Sequence, residues 1–123
     1  MSNRRYARTA RLNELLREIL GEELERLDDE RLELVTISGV EVDPGIEHAV
    51  VYFSSLAGED ADEEVRQAFE DARRGLQAAV ARQARIRSTP KLVFRADPGI
   101  RAGERVDEIL RNLRVDDDGD EEV

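Results

Sequence analysis

The sequence predicts one α+β domain, a small sheet with helices packed on one face. Three observations predict it. Apolar residues recur at three- and four-residue steps from Ala7 to Leu27, the period of an amphipathic helix. Two alternating segments, Leu34 to Val42 and Ala49 to Ser54, flank Asp43-Pro44-Gly45, the pattern of a β-hairpin. A second long helical pattern is interrupted at Gly75 and stopped by Ser88-Thr89-Pro90, and Leu92-Val93-Phe94 then reads as a third short strand. With 123 residues and 40% hydrophobic content, the chain has the length of one domain with one core.

In the first helix the stripe is Leu12, Leu15, Leu16, Ile19, Leu20, Leu24 and Leu27. Gly21 weakens its middle by roughly 1 kcal/mol relative to alanine without ending it. Asp28-Asp29-Glu30-Arg31 is the turn out. Along the first strand Leu34, Val35, Ile37, Val40 and Val42 are apolar, and Ser38-Gly39 breaks the phase, which predicts a bulge. In the hairpin turn Pro44 fixes φ and Gly45 is free to take a positive φ. Asp60 or Asp62 can cap the next helix.

That helix buries Val65, Ala68, Phe69 and Ala72, and the pattern resumes with Leu76, Ala79, Val80 and Ala84. We read two helices joined by a kink between Ala72 and Gly75. Phe69, Leu76, Val80, Val40, Val51 and Leu92 should share one core. After Asp97-Pro98-Gly99, the residues Val106, Ile109, Leu110 and Leu113 outline a short C-terminal helix. The order α-β-β-α-kink-α-β is that of a type II KH domain, with the third strand expected beside and parallel to the first. The expected organisation is a flexible basic N-terminus over 1–6, the KH-like domain over 7–114 and an acidic tail over 115–123. The tail has six acids and no base, a like-charge block that repels itself and should be disordered.

Charge is segregated along the chain. The formal charge is -10, yet between Ala72 and Arg95 stand Arg73, Arg74, Arg82, Arg85, Arg87, Lys91 and Arg95 without one acid. A second acid-free cluster, Arg4, Arg5, Arg8 and Arg11, opens the chain. A segregated acidic protein can present a cationic face to phosphate, which a uniformly acidic one cannot. At about 100° per residue, Arg74, Arg82 and Arg85 span roughly 80° of helix surface, opposite Leu76, Ala79 and Val80. The bland alternative is a solvated face whose arginines pair with local acids such as Glu70 and Asp71.

Other chemistries are excluded by what is missing. There is no cysteine and only one histidine, His48, so no zinc cluster and no thiolate nucleophile can form. His48 is expected to face solvent on a strand. No phosphate-binding P-loop motif precedes the single lysine, and the spacing of the acidic tail does not match an EF-hand. No metal and no cofactor is expected. No apolar run approaches the roughly 20 residues of a membrane helix, and the basic start has no apolar segment behind it, so it is not a secretory signal. The G-x-x-G loop with which KH domains grip a nucleic-acid backbone is absent. Ala72-Arg73-Arg74-Gly75 places cations there instead.

From about Arg8 to Leu113 the chain resembles ribosome-binding factor A, a family of bacterial small-subunit assembly factors. The residues that carry the resemblance are Val35-Thr36-Ile37-Ser38-Gly39-Val40-Glu41-Val42, Ala49-Val50-Val51-Tyr52-Phe53-Ser54, and Arg85-Ile86-Arg87-Ser88-Thr89-Pro90-Lys91-Leu92-Val93-Phe94. The resemblance implies a KH-like fold with an Ala-x-Gly kink, cytoplasmic location and no catalysis. It also implies binding of a monomer to the 30S subunit and its 16S rRNA during late maturation. Four positions depart from the family pattern. Arg74 stands at the usual glycine of the kink, with Gly75 one residue later. Asp29-Glu30-Arg31 replaces Asp-Pro-Arg, Gln77 replaces an arginine, and Lys91 replaces a glutamate.

The expected function is therefore a non-enzymatic RNA-binding assembly factor whose Arg4, Arg5, Arg8, Arg11, Arg73, Arg74, Arg82, Arg85 and Arg87 meet rRNA phosphates. The rival reading is a protein-interaction module that binds basic ribosomal proteins or another factor through Glu14, Glu18, Glu22, Glu25 and the tail.

Overall fold

The computed structural model describes residues 3–99, with side chains from Arg8 onward. The elements are α1 (Asn3–Arg26), a 3₁₀ turn (Glu30–Leu32), β1 (Val35–Val42), β2 (His48–Ser55), a second 3₁₀ turn (Glu59–Ala61), α2 (Asp62–Asp71), α3 (Arg73–Gln83) and β3 (Lys91–Ala96). The expected order is observed. The expected C-terminal helix and acidic tail lie outside the described residues. Helix α1 starts at Asn3, before the apolar stripe begins.

The stripe of α1 buries Leu16, Ile19, Leu20 and Leu24, and Leu12 and Leu27 pack on the core from its margins. Leu15, expected in that stripe, is exposed. At about 100° per residue it falls on the margin of the stripe, and the neighbouring Leu16 takes the inward position. The turn that follows is capped by Asp29, whose Oδ1 accepts the Arg31 amide at 2.9 Å. Glu30 opens this turn, and the Asp29 side chain supplies its cap.

Strands β1 and β2 pair antiparallel, and the register shifts between Ile37 and Gly39, so the bulge falls where the broken alternation placed it. The hairpin turn differs from expectation. Ile46 N–H bonds Asp43 C=O at 2.8 Å, and the left-handed residue is Ile46 (φ 56°), whereas Gly45 keeps an ordinary φ. The turn ends on Asp43, whose Oδ1 accepts the Glu47 and His48 amides at 2.7 Å each. With that carboxylate holding the Glu47 and His48 amides, the left-handed conformation falls on Ile46, the fourth residue of the five-residue connection 43–47.

The third strand is placed differently from expectation. The sheet order is β1-β2-β3, and β3 runs parallel to β2, not beside β1. A strand that returns through helices lies parallel to the strand that launched them, and here β2 launches them. The outer edge of β1 is attended by α1, where Asn13 Oδ1 accepts the Val42 amide at 2.9 Å.

Helix α2 begins after Ala61, which makes no side-chain capping bond. Asp62 is thus a first-turn residue and Asp60 lies in the preceding 3₁₀ turn, so neither is the cap that the sequence suggested. Asp62, Glu63 and Glu64 together still oppose the helix dipole. The break between α2 and α3 is carried by Ala72 (φ -91°, ψ 0°). Gly75 lies inside α3, and a Cβ there would meet nothing within 4 Å. The bend therefore needs no glycine, and Arg74 fits the helix.

One core joins all the elements, and the six residues expected to share it do so. Phe69 stands at its centre, 5.4 Å from the ring of Phe53 and 5.0 Å from that of Phe94, which ties α2 to β2 and β3. On β3, the side-chain amide of Gln77 from α3 substitutes for a missing fourth strand. It donates to Pro90 C=O at 3.1 Å and accepts the Leu92 amide at 2.9 Å.

Candidate nucleic-acid interface

Local acids decide which arginines are available. Arg73, expected among the phosphate contacts, is committed internally. It reaches both carboxylate oxygens of Glu70 at 3.0 Å, and its guanidinium lies 5.1 Å from the centre of the Phe94 ring. Arg31, in the turn after α1, pairs with Asp29 at 2.7 Å and with Asp71 at 3.0 Å. The Arg73 guanidinium holds the Glu70 carboxyl below the usual carboxylate range. Arg31, and then Gln67, do the same for Asp71.

Of the two local acids, Glu70 thus pairs with one arginine of the basic segment, Arg73, and Asp71 pairs with Arg31 outside it. Arg8, Arg11, Arg74, Arg82, Arg85 and Arg87 are all exposed, and none has a hydrogen bond or ion pair among the described residues. Burial of phosphate charge against such side chains replaces their solvent shell and releases counterions from the nucleic acid.

The helical projection of Arg85 needs correction. Helix α3 ends at Gln83 with Ala84 as its C-cap, and Arg85 takes a left-handed φ of 54°. It follows the helix instead of lying on its face, because the chain must reverse there to enter β3. Arg74 and Arg82 remain on α3, whereas Arg85 and Arg87 stand on the α3–β3 loop. Arg4 and Arg5 lie within the helical span of α1, one turn before Arg8.

The fold brings Arg8 and Arg87 to either side of the hairpin turn. A cleft of about 310 Å³ is lined by Arg8, Thr9, Leu12, Pro44 and Ile46. A second, of about 450 Å³, is lined by Gly45, Ile46, Glu47, Ile86, Arg87, Ser88 and Thr89. Ile46 is common to both, so arginines separated by most of the chain flank the hairpin turn. Sequence reasoning missed the turn as part of the site. Its only signal was an aliphatic residue, Ile46, directly after the Asp43-Pro44-Gly45 turn.

His48 is exposed on β2, as expected. It lies with Asp43 and Glu47 in a group whose ligand atoms fall within 4.8 Å of one another. The Asp43 carboxyl there is held below its ordinary range by the amides of His48 and Glu47, so that group serves to close the turn. The acids of the rival reading face elsewhere. Glu18, Glu22 and Glu25 line a cleft of about 560 Å³ between α1 and the start of β1, together with Arg17 and Glu33, while Glu14 pairs with Arg17. No helix among the described residues is long and apolar enough to cross a membrane.

A three-stranded sheet with a kinked helix pair between its second and third strands, lacking the G-x-x-G loop, is a KH-like domain. Residues 8–110 match the protein family described as ribosome-binding factor A. Ribosome-binding factor A of Rubrobacter xylanophilus is 45% identical over 117 residues, covering 93% of each chain. The crystal structure of ribosome-binding factor A from Thermus thermophilus superposes with a TM-score of 0.64 at 35% identity, covering 70% of this chain and 92% of that one. A Thermus thermophilus homology model fitted into the cryo-EM map of a complex between the 30S subunit and this factor matches with a TM-score of 0.55 at 35% identity. That match covers 65% of this chain and 85% of that one. The chain belongs to the ribosome-binding factor A family.

Proposed function

We propose that this protein is a non-enzymatic, cytoplasmic RNA-binding factor that docks as a monomer on the 30S subunit and its 16S rRNA during late maturation and rRNA processing. One observation supports it above the rest. Six exposed arginines of α1, α3 and the α3–β3 loop have no protein partner among the described residues, while Glu70 and Asp71 are paired with Arg31, Arg66 and Arg73. The mechanism is electrostatic positioning on phosphates by Arg8, Arg11, Arg74, Arg82, Arg85 and Arg87, with Arg4 and Arg5 extending the same arm. Arg73 holds Glu70 and lies over Phe94, tying the helix pair to β3. Binding would hold an immature RNA conformation until processing is complete.

Filter binding to 16S rRNA and to immature 30S subunits across a salt series tests this. With six phosphate contacts, a plot of log affinity against log salt should have a slope of about -4 to -5. A slope near zero with retained subunit binding would shift the reading to the acidic cleft of α1 and a basic protein partner.

A further inference from the structure

The two clefts beside Ile46 have features that phosphate binding alone does not use. Ile46 is β-branched, and a φ of 56° is unfavourable for such a side chain. Its side chain packs against the margin of the core, as does that of Ile86, so the turn holds an aliphatic wall at the surface between two basic loops. In the larger cleft Ile46 and Ile86 stand with Ser88, Thr89 and Glu47. The Glu47 carboxylate is exposed and has no hydrogen bond or ion pair among the described residues. An anion beside a basic cleft repels phosphate. It therefore suits a ligand that offers a neutral hydrogen-bond donor between its charged groups.

We propose that this cleft takes one unpaired nucleobase of single-stranded RNA, bearing an exocyclic amino group, while Arg8 and Arg87 hold the phosphates on either side. The proposal rests on the RNA-binding reading above and adds a base-reading subsite to it. The base face would lie on Ile46 and Ile86. Its amino group would donate to Glu47, as cytosine N4 does to carboxylates elsewhere. Unstacked bases splayed out of single strands are the usual targets of sequence-specific RNA recognition, and a volume of about 450 Å³ lies within the range of small-ligand sites. Uracil, with acceptors where cytosine has the amino group, would meet the Glu47 carboxylate unfavourably.

The test uses the full chain and short single-stranded RNAs of equal length and charge: oligo(C), oligo(U), and an oligomer abasic at every position. Affinity is measured at one fixed salt concentration and then as a salt series. The parent should bind oligo(C) about fivefold or more tightly than either other RNA, the scale of one stacked base. Glu47→Gln should erase or invert the preference over oligo(U). Ile46→Gly, which relieves the left-handed φ as it removes the wall, should lose the abasic discrimination, and both variants should keep the parent's salt slope. Glu47 is exposed, so its variant stays informative if Ile46→Gly destabilises the fold. Equal binding of all three RNAs by the parent, with a steep salt dependence, would overturn the base subsite and leave the phosphate-docking reading intact. Discrimination that survives both substitutions would overturn it as well. No binding of any RNA at low salt would remove the RNA-binding reading and this subsite with it.

Discussion

Gln77 is the side chain whose removal tests the architecture most directly. It satisfies two backbone groups on the outer edge of β3, Pro90 C=O at 3.1 Å and the Leu92 amide at 2.9 Å. Leu92 and Pro90 are among the fully buried side chains, so water reaches these groups poorly. Each polar group left unsatisfied in such a place costs about 1–3 kcal/mol. For Gln77→Ala we expect a loss of about 2–4 kcal/mol, since the half-buried site admits some solvent. For a domain of this size that corresponds to a fall in Tm of about 10–25 °C. Gln77→Glu should lose about half as much. It keeps an acceptor for the Leu92 amide and gains attraction to Arg73, whose guanidinium already lies 3.4 Å from the Gln77 oxygen, but it can no longer donate to Pro90. Urea unfolding measures the change, with Arg74→Ala as an exposed control expected within about 0.5 kcal/mol of the parent. Exchange of the Leu92 amide with solvent should quicken in Gln77→Ala. If Gln77→Ala unfolds within about 0.5 kcal/mol of the parent and its Leu92 amide stays protected, the reasoning that a side chain replaces the missing strand is wrong.

Changing Arg74, Arg82 and Arg85 together to Glu should leave the domain folded, because all three are exposed. It should flatten the salt slope by about 2–3, so that raising salt from about 50 to 200 mM weakens binding by about 40-fold less than in the parent; an unchanged slope would remove these residues from the interface. Val80 is fully buried beside Leu76 and Ala79, so Val80→Asp should cost several kcal/mol and abolish cooperative unfolding, as circular dichroism on melting will register. The carboxyls of Asp29, Glu70 and Asp71 are held below their ordinary range, chiefly by Arg31 for the two aspartates and by Arg73 for Glu70. A depressed folded-state value stabilises the fold above the unfolded-state pKa near 4 and is lost as pH falls through the folded value. Tm should therefore be level from about pH 7 to 5 and fall below about pH 4. In Arg31→Ala the fall should be shallower, and an identical acid profile for that variant would show that these pairs contribute nothing.

The order of elements was legible in the sequence because periodicity is a local property: a stripe at 3.6 residues or an alternation at two is written in consecutive residues. The bulge at Ser38-Gly39 and the core around Phe69 followed from the same signals, and the resemblance to the family followed from the ordered segments. The partners of the individual charges were not legible. Arg73 and Arg74 are adjacent and chemically alike, yet one is fixed beneath Glu70 and over Phe94 while the other faces solvent. Which of them has a partner depends on where β3 passes, and that is a tertiary fact. The pairing of β3 with β2 instead of β1 is likewise a tertiary fact. The left-handed residues at Ile46 and Arg85 depended on where the chain had to reverse. Sequence alone determined that this chain is an α+β domain with segregated basic segments. Only the packed structure decided which arginines lack a partner among the described residues and that the hairpin turn lies between Arg8 and Arg87, because pairing and proximity arise between residues far apart in the chain.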